Sequence, residues 1–255
     1  LKAKLRDLSD ETNIASNYLL QSFMFEGLLK RISNSKYREK FIIKGGMLLT
    51  SIFGINLRGT MDLDATLKGL PLNIETITSI FNELINMNID DNMTFEIIDI
   101  REIREEDLYG GYCINLKATF DKLWTHLMID ITTGDIITYK EIEFKYRTLF
   151  DDEIINILSY NYETIIAEKF EAIISRNINN SRMKDYYDLY MFTSLKWNRI
   201  NKSILFQAIV NTYKNRRTID FINNSNSYIE MITNDYKLKN YGKVTKKNMN
   251  IRKKL

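Results

Sequence analysis

The spacing of apolar and polar positions divides the chain into two kinds of sequence. Asn13 to Ile32 carries Leu19, Phe23, Leu28 and Ile32 at helical spacing and ends at Ser33-Asn34-Ser35, which predicts one long helix. Phe41-Ile42-Ile43 is a short apolar strand broken by Gly45-Gly46, and Met47, Leu48, Leu49, Ile52 and Phe53 follow as a buried helix. Met61 to Thr66 alternates apolar and acidic residues as a half-exposed strand does, and Glu75 to Asn88 reads as an amphipathic helix. Thr94 to Ile100, Tyr112 to Phe120 and His126 to Thr132 are three more strands, with Tyr109-Gly110-Gly111 as a hairpin turn between the first two. Beyond about residue 155 the pattern is helical throughout, over Tyr162 to Arg176, Met183 to Leu195, Lys202 to Lys214 and a weaker segment from Ser227. The expected fold is therefore α+β, with a mixed-sheet lobe over 1–155 and an all-helical lobe over 156–255, and Phe150-Asp151-Asp152-Glu153 as the boundary between them.

Composition narrows the chemistry. With 255 residues, 44% of them hydrophobic, the chain can bury a sizeable core, and no run of about 18 apolar residues suggests a membrane span. No charged leader precedes an apolar h-region, and the single cysteine, Cys113, cannot form an internal disulfide, so a cytoplasmic location is expected. One Cys and one His, His126, leave almost nothing for zinc; a resident metal would be a hard ion held by carboxylates, Mg²⁺ or Mn²⁺. The net charge of +3 is uneven. From Tyr236 onward Lys237, Lys239, Lys243, Lys246, Lys247, Arg252, Lys253 and Lys254 meet no acidic residue, which makes a tail that a polyanion would attract or a merely solvated terminus.

Asp62 and Asp64 stand two apart on a predicted strand and so project from one face, where they would repel one another without a cation between them. Asp130 lies between Ile129 and Ile131 on another strand and could share that face, making three carboxylates suited to the paired ions of phosphoryl transfer. Lys44-Gly45-Gly46 sits where a strand becomes a helix, so the backbone could approach a phosphate beside exposed N–H groups. Each motif alone is also consistent with an ordinary edge or turn, and their order and spacing are what single them out. In the helical half, Lys169 and Arg176 are seven apart on one face and could neutralise a triphosphate or simply face solvent. Asp185, in the first turn of the next helix, complements its dipole, acts as a base or orients Lys169, with Asp188 one turn later on the same face. His126 shares a face with Asp130 and could touch the site; Cys113 reads as a small buried residue.

Lys44-Gly45-Gly46-Met47-Leu48-Leu49, Arg58-Gly59-Thr60-Met61-Asp62-Leu63-Asp64, Ile129-Asp130, Ala167-Glu168-Lys169 with Arg176, and Arg182-Met183-Lys184-Asp185-Tyr186-Tyr187-Asp188 together resemble the AbiEii/AbiGii family. These are DNA polymerase β-like nucleotidyltransferases acting as toxins in AbiE-type toxin–antitoxin and phage abortive-infection systems. The likeness covers roughly residues 20 to 195, with the blocks in the family's order. It departs at Met47, where a small or hydroxyl residue is usual. The resemblance implies a polymerase β-like N-terminal lobe and a helical C-terminal lobe. It implies that Gly45, Gly46, Asp62 and Asp64 bind phosphates and metal, that Lys169 contacts the nucleotide, with Lys44, Arg176 and Arg182 counted among the nucleotide-binding residues, and that Asp185 is needed for activity. It further implies a nucleoside triphosphate donor, transfer to the 3′ end of tRNA or another RNA, arrest of translation and growth, and a cognate antitoxin. The residues themselves leave other classes open: a carboxylate-metal ribonuclease, a non-catalytic RNA- or partner-binding protein, and an Asp-x-Asp sugar transferase.

Overall fold

The computed structural model describes residues 1–103 and 110–241. The expected turn residue Tyr109 and all of the basic tail beyond Tyr241 lie outside the described residues. The chain forms two compact units, one of residues 1–134 and 142–159, the other of 135–141 and the chain from Tyr160 onward.

The first unit opens with helices α1 (Lys2–Thr12) and α2 (Ser16–Asn34). The single helix expected from Asn13 is thus preceded by another and begins three residues later, because Asn13 takes a left-handed conformation (φ 57°) that ends α1. Then follow β1 (Phe41–Lys44), α3 (Gly45–Phe53), β2 (Asp62–Leu67), α4 (Ile74–Ile85), β3 (Met93–Ile103), β4 (Gly111–Phe120), β5 (Leu123–Thr132), β6 (Ile142–Arg147) and β7 (Ile154–Ser159). The seven strands make one mixed sheet in the order β3-β4-β5-β2-β1-β7-β6. β2 pairs parallel to β5 and β1 parallel to β7, while the other neighbours are antiparallel.

One face of the sheet is apolar. Leu63, Ala65, Ile114, Leu116, Leu127, Ile129 and Ile131 are fully buried, and α2 packs over β5, β4 and β7 while α4 packs on β3. Each buried Leu or Ile contributes about 1.5–3 kcal/mol, so this face fixes the register of every strand that crosses it. Arg31 of α2 is 2% exposed and binds Asp91 through both guanidinium nitrogens (2.6 and 3.2 Å) and the Met93 carbonyl (2.9 Å). That network ties α2 to the start of the edge strand β3.

The hairpin of β6 and β7 was not legible in the sequence pattern. Phe150 to Glu153 forms its turn, with Asp152 at φ 52° and the Glu153 N–H donating to Thr148 Oγ1 (3.0 Å), and so lies inside the first unit.

The second unit is helical: α5 (Tyr162–Arg176), α6 (Met183–Leu195), α7 (Lys202–Asn215), α8 (Asp220–Asn223) and α9 (Ser225–Asn234). Asn161 caps α5 by accepting from the Thr164 N–H (2.8 Å), and Asn201 caps α7. Residues 135–141, ahead of β6 in sequence, join this unit: the Thr138 N–H donates to Thr164 Oγ1, and Thr138 and Lys140 carbonyls accept from Asn161.

Candidate functional site

Because side chains alternate along a strand, the buried set above forces the residues between them onto the opposite face. There the register places one residue from each of five strands in a single row. Arg101 on β3 pairs with Cys113 on β4, Cys113 with Asp130 on β5, Asp130 with Asp64 on β2, and Asp64 with Lys44 on β1. Asp62 occupies the same face one step along, opposite Met128. Two acidic residues thus lie side by side at the centre, flanked across the sheet by a cation at each end.

The row is closely supported. A side chain at Gly45, which sits at φ 65°, would overlap the Asp64 carboxylate, and one at Gly46 would overlap Thr60. Glycine is required at both positions so that the first turn of α3 can lie directly on Asp64, and the Gly46 N–H points at Asp64 Oδ2 (3.4 Å). Met47 is buried in α3 at 4% exposure, so its side chain belongs to the core. Lys44 is buried too, and its ammonium donates to Thr132 Oγ1 (2.7 Å), two residues beyond Asp130 on the same strand face. Cys113 meets both Asp130 and Arg101; burial first, then the Asp130 carboxylate, push its thiol up to about 11, so it stays a neutral S–H group at neutral pH.

Asp62 is reached from α2. Tyr18 lies near Arg58 and Asp62, and burial raises its phenol above the usual range, opposed by Arg58 and assisted by Asp62. One turn later, Gln21 Nε2 donates to the carbonyls of Met61 (3.1 Å) and His126 (3.0 Å), binding α2 to the entry of β2 and to β5. His126 projects on the row's face but four residues from Asp130, and its Nδ1 meets Asn115 Oδ1 at 3.2 Å.

Among the described residues no three His, Cys, Asp or Glu side chains gather into a metal-ligating cluster. The donor set nevertheless suits a hard divalent cation: Asp62, Asp64 and Asp130 are oxygen donors on one sheet face, and the nearby His and Cys are engaged with Asn115 and with Asp130 and Arg101.

In the second unit Lys169 on α5 is held by two carboxylates of α6, Asp185 Oδ1 (3.0 Å) and Asp188 Oδ2 (2.7 Å). Asp185 is 4% and Asp188 0% exposed, while Arg182 approaches Asp185 from solvent (3.5 Å). Of the three readings of Asp185 left open by the sequence, the ion pair with Lys169 is compatible with its orienting that ammonium. Arg176 is exposed at the C-terminal end of α5.

Sequence reasoning missed Arg101, Gln21, Tyr18 and Thr132, whose places depend on which strands meet. Asp188 was visible as a same-face neighbour of Asp185, but its partner was not.

A family model described as nucleotidyl transferase AbiEii toxin, type IV toxin–antitoxin system, matches residues 27–250. No curated protein matches the chain. Among solved structures, a candidate nucleotidyltransferase from H. pylori is 15% identical, with 92% of this chain and 96% of that chain covered at a TM-score of 0.50. JHP933 from Helicobacter pylori gives 15% identity over 92% and 96% at 0.49. An antigenic nucleotidyltransferase-like protein from Paracoccidioides brasiliensis gives 13% over 81% and 92% at 0.43. The first of these likenesses bears on the fold alone, which is nucleotidyltransferase-like. Among the described residues no helix is long and apolar enough to cross a membrane.

Proposed function

This chain belongs to the AbiEii nucleotidyltransferase toxin family, and from that premise we propose that it transfers a nucleotidyl group from a nucleoside triphosphate to the 3′ hydroxyl of an RNA, tRNA foremost. It is a nucleotidyltransferase, and its family is the toxin side of a type IV toxin–antitoxin system, which implies an antitoxin partner and a nucleotide substrate. Enzymes of this kind use divalent metal; Mg²⁺, or Mn²⁺ in its place, is the ion proposed here, with Asp62, Asp64 and Asp130 as its ligands. Such an ion would supply charge neutralisation at the phosphates and polarise the reacting oxygens.

The observation that carries the reading is the pairing of Asp64 with Asp130 directly beneath the Gly45-Gly46 turn. Asp130 takes the proton of the RNA hydroxyl as its oxygen bonds to the α-phosphorus. The bond from that phosphorus to the bridging oxygen breaks, and pyrophosphate leaves with the electron pair. Gly45 and Gly46 let the first amides of α3 approach phosphate oxygens without a Cβ in the way. Lys44 stands behind Asp64 and limits the repulsion of the acidic pair. Within the second unit, Lys169, which pairs with Asp185 and Asp188, is proposed together with Arg176 and Arg182 as the set of cations suited to phosphate groups. A toxin of this activity would block aminoacylation in the cytoplasm and arrest growth, as in abortive infection by phage.

The deciding experiment incubates the protein with tRNA and each labelled triphosphate in Mg²⁺. Transfer by wild type and its loss in Asp64→Ala are expected; no transfer by wild type, or equal transfer by the variant, overturns the proposal.

A further inference from the structure

The polar face of the sheet extends well past the acidic row, and its far end is built differently. Trp124 projects from β5 on the same face as Asp130 and is 56% exposed. A tryptophan that far out of the core contributes little to folding. The indole is nonetheless held in place: His126 packs edge-on against it (centroids 5.6 Å apart, 86° between planes), and Lys117 of β4 sets its ammonium 5.7 Å from the ring. Asn115 fixes His126 in turn. Met128, 40% exposed, continues the strip, so alternate positions of one strand run Trp124, His126, Met128, Asp130.

We propose that Trp124, with Lys117 and His126, is a stacking platform for a single-stranded segment of the RNA acceptor, a few nucleotides away from the end that reacts at Asp130. The proposal rests on the RNA-directed reading given above and locates where on the sheet the acceptor lies. Six residues of strand separate Trp124 from Asp130, about 20 Å at roughly 3.3 Å per residue, which about six stacked nucleotides at 3.4 Å would span. A base lies on the indole, whose π-face accepts any base, and the Lys117 ammonium beside the ring meets the adjoining phosphate. The surface is not a basic patch: Glu96 opposes Lys117 in register and Asp99 opposes Asn115. Stacking rather than bulk charge therefore holds the strand, and affinity should fall only gently with salt.

The chain has two tryptophans, so Trp197→Phe leaves Trp124 as the sole indole reporter in the full-length protein. Titration with a short unstructured RNA oligonucleotide should quench its fluorescence saturably. Trp124→Ala should weaken oligonucleotide binding and raise the KM for RNA about tenfold, the cost of one lost base stack. Trp124→Phe should recover most of that loss, the KM for the triphosphate should stay unchanged, and Lys117→Ala should reduce the salt slope by about one. Absence of quenching, or RNA binding and KM in Trp124→Ala equal to wild type, overturns the platform. Quenching by RNA in a protein that transfers nothing would support the platform while defeating the transferase reading, so the two fail separately.

Discussion

Asp64 on β2 and Asp130 on β5 are register partners in a parallel strand pair, two like charges placed side by side on one face. Such a placement costs about 0.2–1 kcal/mol unless a cation compensates it. It therefore links stability to metal in a way that can be measured. In chelator, Asp130→Asn should raise the melting temperature by a few degrees. In Mg²⁺ the same variant should lose most of the ion-induced stabilisation that wild type shows, together with transferase activity. Equal Mg²⁺-dependent shifts in thermal melts of the two proteins would remove Asp130 from the metal site.

Gly45→Ala tests the closeness of α3 to the acidic row. The new methyl would overlap the Asp64 carboxylate and sit at φ 65°, a conformation that costs a non-glycine residue roughly 1 kcal/mol. Nucleotide transfer should fall at least about a hundredfold, because a small displacement of a ligand or a phosphate-binding amide is enough, while circular dichroism stays native. Wild-type kcat/KM in this variant would show that the turn does not approach the substrate.

Lys169 bridges two buried carboxylates of α6. Lys169→Met removes the ammonium that Asp185 and Asp188 share, with Arg182 still 3.5 Å from Asp185, and should lower the unfolding free energy by about 3 kcal/mol in urea titrations. Asp188→Asn, which keeps an acceptor for the ammonium, should cost far less. A Met variant as stable as wild type would mean that the triad relaxes toward water.

Glu26 supplies a pH test in the first unit. It is 3% exposed on α2, accepts from the Leu149 N–H (2.8 Å), and burial above all pushes its carboxyl up to about 8. The folded protein therefore keeps a proton that the unfolded chain releases near 4.5. Between those values the folded state binds more protons than the unfolded state, so this group's contribution to stability declines as pH rises from about 4.5 to about 8 and is level above that. Glu26→Gln preserves the shape and the acceptor without the charge. Its unfolding free energy should match wild type near pH 4.5 and exceed it at pH 8 by at least the worth of one pKa unit, about 1.4 kcal/mol, read from urea titrations at the two pH values. A difference independent of pH would show that Glu26 ionises normally.

Much of the candidate site was legible because it depends on local rules. Period-two alternation puts Asp62 and Asp64 on one face of any strand that contains them, and a glycine pair between an apolar strand and an apolar helix marks a close backbone approach. The limits of α5 and α6 follow from helical spacing alone. The β6–β7 hairpin was hidden for a local reason as well: Ile154 to Ser159 is short and adjoins a helical pattern, so its apolar residues carry no distinguishing period.

What the chain determined by itself, then, is which residues share a face within each element, since backbone geometry sets that spacing wherever the element goes. Only the tertiary structure decided which elements meet. Asp130 stands beside Asp64 because β5 docks parallel to β2, about sixty residues earlier in the chain, in the register that buries Ile129 and Ile131 beside Leu63 and Ala65. Lys44, Cys113 and Arg101 join the row by the same packing. Burial of the apolar face under α2 chooses the alignment, and the chemistry on the opposite face is carried with it.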